Sequence, residues 1–491
     1  MRNALLAAAA ASIVLAVAGP AAANGRFPAS NQLLFSPSNG QLVIERTTFG
    51  ILRSYDYGTT WSWLCEDSLG LPPTSNEDPS LALCKNNTLL AGLSLGLEVS
   101  PDTGCSWSTQ GGGLAGQLVK DLDIPPGTPD TALAITSTFE PDAGTDGGQG
   151  YTQNIFTSTD DGAHWTITGA IDPAATVTTL EVAPTDPQRI YVSAYRGEGM
   201  ARTVSIFVSA NAGQTWTEHP ITQLDPNTET AVYIAAVDPN NEDLVYVRSA
   251  GASRLFVTSN GASTFQVAFA LPESDQMLGF ALSQDGSKVF LGGANTGLFS
   301  ASATDLQFTS VLQHEPDGGT RMIHVQCLAT HGADLWACSD EPSGFIAGVS
   351  QDDGVTFTAK LHLTTIAGPA ACPASTTSAI CTETDVDAAI PYNPFGSLCT
   401  NLGACYDAGP PQPLQLACDE AGACASTSSS SGGGSGGGSG SGSGGGDAGT
   451  GGSGSPGKSS CGCSVVGGSG AAGALVGVGV ALLAVRRRRR R

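Results

Sequence analysis

Ser54-Tyr-Asp56-Tyr-Gly58-Thr-Thr60-Trp61 decides the fold, because this stretch keeps coming back. It recurs as Ser100-Pro-Asp102-Thr-Gly104-Cys-Ser106-Trp107, as Ser158-Thr-Asp160-Asp-Gly162-Ala-His164-Trp165, and as Ser209-Ala-Asn211-Ala-Gly213-Gln-Thr215-Trp216. Thr258-Ser-Asn260-Gly-Ala-Ser-Thr264-Phe265 is a weaker copy, and Ser350-Gln-Asp352-Asp-Gly354-Val-Thr356-Phe357 is a clear one. Between these two, Ser302-Ala-Thr-Asp305-Leu-Gln-Phe308 is eroded and one residue short. The starts lie 46, 58, 51, 49, 44 and 48 residues apart. A period of about 50 residues is that of a four-stranded propeller blade.

The lead-in to each box repeats as well. A short β-rich run precedes it, such as Gly50-Ile-Leu-Arg53 or Ser205-Ile-Phe-Val208. Further upstream, two apolar runs flank a polar turn, as in Leu33–Phe35 and Leu42–Ile44 around Pro37-Ser-Asn-Gly40, or Leu180–Val182 and Ile190–Val192 around Pro184-Thr-Asp-Pro187. Such runs bounded by turn residues read as antiparallel strands. The order is strand A, turn, strand B, loop, strand C, box, strand D, seven times over. The fold expected is all-β: a seven-bladed β-propeller of four-stranded antiparallel blades over residues 28–366.

The box has a local physical task. Its Asp or Asn can accept hydrogen bonds from its own turn, its Gly relaxes the steric limit on φ, and its Trp or Phe packs beneath. Asp56, Asp102, Asp160, Asn211, Asn260 and Asp352 are therefore read as turn staples and not as catalytic acids, together with Gly58, Gly104, Gly162, Gly213 and Gly354. Trp61, Trp107, Trp165, Trp216, Phe265 and Phe357 are the packing partners. The pattern resembles the Asp-box, or BNR, repeat. That resemblance implies a propeller of the superfamily holding sialidases, xyloglucan-type glycosidases, sortilin-like receptors and photosystem assembly factors, so fold alone does not choose the function.

Both ends read as addresses. Arg2, the apolar run Ala4–Gly19 and Ala21-Ala22-Ala23 predict a secretory signal over residues 1–23. Residues 368–424 are rich in Cys and Pro, and 425–460 are almost all Gly and Ser, a flexible tether. Cys461 and Cys463 follow, then an apolar stretch from Val465 to Val485 and arginines 486–491. At ~1.5 Å per residue the stretch spans about one hydrocarbon layer, and the arginines set its cytoplasmic end. This order of elements resembles the MYXO-CTERM sorting signal of myxobacterial surface proteins. The resemblance implies processing near Cys461, with lipidation there; a permanent single-pass anchor is the alternative. The expected location is the cell surface or outer membrane, with the propeller outside the cytoplasm.

Cysteines fit that compartment. Cys372, Cys381, Cys399, Cys405, Cys418 and Cys424 allow three bridges, and neighbouring pairings (372–381, 399–405, 418–424) are the expectation, with zinc as the alternative. Cys327 and Cys338 flank an A–B hairpin and are expected to bridge it. Cys65, Cys84 and Cys105 are three, so one stays free or pairs elsewhere.

Charge excludes some partners. The chain has 21 basic and 44 acidic residues, a net −23. Without Arg2 and arginines 486–491, which are seven, the body has 14 against 44, a net −30. Such a body does not hold nucleic acid or an anionic membrane surface through its net field. Six histidines without an HxH or HExxH pair argue against a histidine-rich metal enzyme.

Candidate chemistry is sparse. A sialidase-type site needs an arginine triad, and Arg26, Arg196, Arg202, Arg248 and Arg321 have no spacing that requires convergence. Gly25-Arg26-Phe27-Pro28 scrambles the Phe-Arg-Ile-Pro start of that family. Gly92-Leu-Ser94-Leu-Gly96 matches a nucleophile pattern that works only between a strand and a helix; here it falls in a hairpin. A two-carboxylate glycosidase is the rival reading. The face opposite the boxes, built from B–C and D–A loops, carries its candidates. Blade 3 has a long B–C loop from Ser137 to Gln153 with Glu140, Asp142 and Asp146, blade 4 has Arg196, Glu198 and Arg202, and blade 7 has Asp340 and Glu341. These residues are the candidate ligand contacts, to a protein or glycan, with calcium as the one cofactor alternative. The reading is a surface-tethered, non-catalytic recognition or scaffolding propeller, and the alternative is a secreted glycoside hydrolase.

Overall fold

In a computed structural model, the structure describes residues 29–381 apart from 72–76, 141–149, 252, 273–274 and 316–317, plus two short strands, Leu416–Cys418 and Cys424–Ser426. The leader at 1–23, Arg26, Asp142, Asp146, Cys399, Cys405, Cys461, the apolar stretch 465–485 and the arginine block lie outside the described residues.

Seven four-stranded antiparallel sheets follow one another along the chain. Blade 1 is built from Ser30–Phe35, Val43–Thr47, Gly50–Ser54 and Trp61–Leu64 as strands A to D. Blades 2 to 7 cover residues 80–109, 118–171, 176–220, 232–270, 277–311 and 327–361. Each strand A touches the strand A of the next blade, and Cys327–His331 touches Ser30–Phe35, which closes the ring.

The apolar cores fall between blades. There are seven clusters among the described residues, one for each seam. Strand B of blade 4 shows how the pleat produces this. Ile190 and Val192 pack toward blade 3, and Tyr191 between them packs toward blade 5. Both faces of the inner strands of a blade are buried, so those strands are largely apolar, while the outer strands of blades 2 to 7 are mostly exposed. The 7–1 seam is built like the others, with Leu33, Val43, Leu52 and Trp61 against Ala329, Trp336 and Ile346.

The inner strands leave one backbone edge without a sheet partner, and an unpaired edge is a liability. Side chains of the neighbouring blade cover it. Gln32 bonds both the carbonyl and the N–H of Leu81, at 2.9 and 3.3 Å. Asp121 accepts from Leu180 N–H at 3.0 Å, and Asp123 from Val182 N–H at 2.8 Å. Thr179 accepts from Ile234 N–H at 2.9 Å, and Thr330 donates to Leu282 carbonyl at 2.6 Å.

The repeated boxes are the C–D turns, and their geometry matches the staple reading. In the first, Ser54 Oγ donates to Asp56 Oδ1 at 2.8 Å and accepts from Gly58 N–H at 2.8 Å, while Thr60 N–H donates to Asp56 Oδ1 at 2.8 Å. The same three bonds recur around Asp102, Asp160, Asn211 and Asp352. Two successive residues take left-handed φ, as Tyr57 (57°) and Gly58 (75°) do. A Cβ on Gly58 would lie 2.8 Å from the Trp336 ring of blade 7. Gly is thus needed twice over, for φ and for close approach. The fifth box keeps the bonds with Ala262 in the Gly place at φ 70°. The eroded sixth retains a left-handed Leu306 and a Ser302–Thr304 hydroxyl contact.

The pairing expected for the first two C-terminal cysteines is corrected. Cys372 bonds Cys105, and Cys381 bonds Cys65. The reason is that the chain does not leave the ring after blade 7. Ile366–Pro369 returns to blade 1 as a fifth strand, parallel to Trp61–Leu64. Residues 370–381 then strap the rim of blades 1 and 2, where Thr377 Oγ1 accepts from Trp107 N–H at 2.9 Å and Ser378 Oγ donates to Gly104 carbonyl at 2.5 Å. Cys84 is the thiol left over, buried in the seam of blades 2 and 3. Cys327 and Cys338 do bridge their hairpin. Cys418 and Cys424 are register partners in their own short ladder.

Candidate functional site

The ring has two unlike faces. A–B turns and boxes share one: Tyr57 N–H bonds Gln41 carbonyl, Asp161 N–H bonds Asp130 carbonyl, and Ala212 N–H bonds Gln188 carbonyl. This box face is tied down by its own backbone. B–C and D–A loops form the opposite face, where all the sequence candidates were placed.

The described candidates are largely engaged within the fold. Arg196 is paired to Asp172 and Glu218, both at 3.0 Å, and lies over the Phe207 ring. Arg202 donates to Thr230 carbonyl at 3.0 Å and stacks on Tyr195. Arg248 is buried and donates to Met277 carbonyl at 2.7 Å. Arg321 holds Glu315 and the carbonyls of Pro342 and Ser343. No arginine triad is assembled among the described residues. Asp340 caps a short turn by accepting from Ser343 N–H at 2.9 Å and meets His324 Nδ1 at 2.6 Å. Glu341 is buried, accepting from Leu363 N–H at 2.7 Å and meeting His362 Nδ1 at 2.9 Å. Glu198 stays exposed. The loop expected from Ser137 to Gln153 is strand at both ends, because Ala132–Glu140 and Gly150–Ser158 pair in register along their whole length; residues 141–149 between them lie outside the described residues. Ser94 sits on a two-residue B–C turn and donates its hydroxyl to Glu77 at 2.9 Å, in a hairpin as expected.

The sequence reading missed a buried acid group at the inner edge. Asp121 and Asp123 flank Glu181, which lies between the two residues whose N–H groups they accept from. Burial pushes Asp121 up to about 7, against which its backbone and Ser80 hydrogen bonds work. Burial and the two aspartates push Glu181 up as well. Glu45, in the seam of blades 1 and 7, is raised by burial to about 8. Among the described residues, no cluster of three or more His, Cys, Asp or Glu is arranged to hold a metal ion.

It also missed the apolar tips. Nine large apolar side chains are exposed among the described residues. Leu95, Phe139, Tyr151, Met200 and Met322 lie on the loop face, three others lie on outer strands or their edges, Ile380 is on the strap, and none is on the box face. Phe139 and Tyr151 form an edge-on pair with centroids 5.4 Å apart. Leu95 stands out in the sequence only as a Leu between Ser94 and Gly96, where a turn favours a polar residue.

No family model and no curated protein matches the chain. Solved structures do resemble it. A GH74 enzyme of Niastella koreensis is 16% identical, with TM-score 0.31, over 67% of this chain and 65% of that one. YCF48 from Cyanidioschyzon merolae is 14% identical, with TM-score 0.42, over 64% of this chain and 93% of that one. The extracellular domain of BT4673 from B. thetaiotaomicron is 14% identical, with TM-score 0.43, over 64% and 38%. The chain thus spans about two thirds of the first and under half of the third. The architecture stated above rests on the ladders and seams of this molecule.

Proposed function

We propose that this chain is an exported, surface-tethered propeller of the Asp-box type that recognises a partner through its loop face without catalysing a reaction. The observation that carries the reading is the asymmetry of the faces: five of the nine exposed large apolar side chains stand on the loop face and none on the box face. Phe139 and Tyr151 touch, the other three stand on separate blades of the same face, and exposed apolar groups confined to one face make it the candidate interaction surface. Of the described loop-face carboxylates, Asp172, Glu229, Asp340 and Glu341 hold arginines, histidines or backbone groups, and Glu198 is exposed. That is structural work, and it supports binding over acid–base chemistry. Export and tethering are supported by the leader at 1–23, by disulfides that an oxidising compartment maintains, and by the order of Cys, apolar stretch and arginines at the far end.

Incubating the full chain with a panel of soluble polysaccharides tests the reading directly. Unchanged reducing-end content is expected. Product formation that Asp142→Asn or Asp146→Asn abolishes would install the glycoside hydrolase in its place.

A further inference from the structure

We infer that the loop-face arc of Leu95, Phe139, Tyr151 and Met200 docks a protein segment that alternates basic with bulky apolar side chains; this deepens, and rests on, the recognition reading above. The four residues occupy the B–C hairpins of blades 2, 3 and 4, which are consecutive. Leu95 is 76% exposed, Phe139 45%, Tyr151 41% and Met200 72%. Packed sheets stand about 10 Å apart and blades diverge outward, so the B–C strands of successive blades are separated by at least a distance of that order. An extended segment advancing ~3.3 Å per residue meets successive tips at intervals of roughly three residues or more.

Charge fixes the chemistry of the occupant. None of the described lysines lies on the loop face: Lys85 and Lys288 are at A–B turns, Lys120 on an inner strand and Lys360 on an outer one. Three arginines of this face are paired to acids, Arg196 to Asp172 and Glu218, Arg254 to Glu229 and Arg321 to Glu315, while Arg202 donates to a carbonyl and keeps its charge. Acidic groups lie on the same face. Glu198 is exposed two residues from Met200, Asp225 is exposed on the D–A loop of blade 4, and Glu77 is hydrogen-bonded at Ser94 next to Leu95. Apolar side chains on a face where acids outnumber basic groups among the described residues, with Arg202 bonded to a carbonyl and not to an acid, complement a basic and apolar segment. A second copy fits poorly, because a self-complementary contact would bring like charges together. Phe139 and Tyr151 offer a sugar ring faces, but Leu95 and Met200 offer it neither a ring face nor a hydrogen bond, whereas Met suits an adaptable protein contact.

The test uses the full chain in neutral detergent and a fluorescent peptide of repeating Arg-Leu-Ser, with Glu-Leu-Ser and Arg-Ser-Ser repeats for comparison. Anisotropy should report binding of the first alone, weakened by added salt. The combined variant Leu95→Ser, Phe139→Ser, Tyr151→Ser, Met200→Ser should weaken it at least tenfold. The same change at exposed Ile167 and Val267 on outer strands should leave it intact. All substituted residues are solvent-facing, and an unaltered melting temperature checks the fold. Equal binding of the Glu-Leu-Ser repeat, or full binding by the arc variant, overturns the inference. So does a dimer in sedimentation that the arc variant disperses, which would make a second copy the occupant. If the arc variant loses retention of a polysaccharide while keeping the peptide, the recognition face stands and the peptide chemistry falls. If no loop-face substitution affects any peptide or polysaccharide, the recognition reading falls with it.

Discussion

Glu45 is fully buried in the seam that closes the ring, and burial raises its carboxyl from the usual 4.5 to about 8, with a smaller opposing effect of Ser30. The folded chain therefore keeps a proton that the unfolded chain releases at lower pH. Stability from this group is full below about pH 4.5 and declines as the pH rises through about 8. Glu45→Gln should match the parent at pH 4 and melt higher at pH 9. Asp121 acts in the same sense between its usual 3.8 and about 7, where Asp121→Asn retains an acceptor for Leu180 N–H and should flatten the fall in melting temperature across that interval. A melting curve that rises with pH over these windows would contradict both assignments. Trp107 tests the box itself. It is buried in the seam of blades 1 and 2, and Trp107→Ala should cost about 3–5 kcal/mol, as deletion of a buried aromatic does. An unchanged melting temperature would show that the ring does not bear on the seam. The staple role of the boxes was legible because every polar partner lies within a few residues. Glu45 and Asp121 were not, because their burial is created by blades distant in sequence.

At the scale of elements, the strap is what distinguishes this ring. Blade 7 supplies all four of its own strands, so no terminal strand is shared to close it. Closure comes from an ordinary apolar seam, reinforced by Ile366–Pro369 on blade 1 and by two bridges across 316 and 267 residues. Replacing Cys65 and Cys381 with Ser should cost about 2–4 kcal/mol, the usual range for a native bridge. It should also expose residues 370–381 to proteinase K, read by mass spectrometry; resistance equal to the parent's would mean that the strap is held without the bridge. Strand order and turns could be read from the period of the boxes and the apolar runs. The strap could not, since Cys372 and Cys381 carry no sequence mark of partners so far upstream. Short spacing favoured a local pairing that the return to blade 1 overrides. The extended hairpin of blade 3 was missed for a related reason: Thr138, Thr152 and Gln153 are polar enough to read as loop, yet the ladder continues through them.

At the scale of the molecule, the described ring ends at Cys381, fixed at the rim beside the outer strand of blade 1. We expect both faces to remain accessible on a tether of about 36 Gly/Ser-rich residues with an r.m.s. reach of roughly 30–36 Å. Truncation after Gly457 should release the folded propeller into the medium, and its retention on cells would show that the anchor lies elsewhere. Intact mass of the surface form separates processing near Cys461 from a permanent span: a species retaining arginines 486–491 favours the span. The faces were assigned from the sequence correctly in outline, because the box position fixes which loops lie opposite. The acids on those loops drew attention as the sites, and the structure shows several of them occupied, while the apolar tips went unnoticed as single residues in turns. A photo-crosslinking amino acid placed at Leu95 or Met200, or at Pro187 or Thr304 on the box face, in the chain displayed on the cells that export it, discriminates between the faces. Recognition through the loop face predicts discrete adducts from Leu95 and Met200 and none from Pro187 and Thr304; adducts from the box face alone, or equally from both faces, would contradict it.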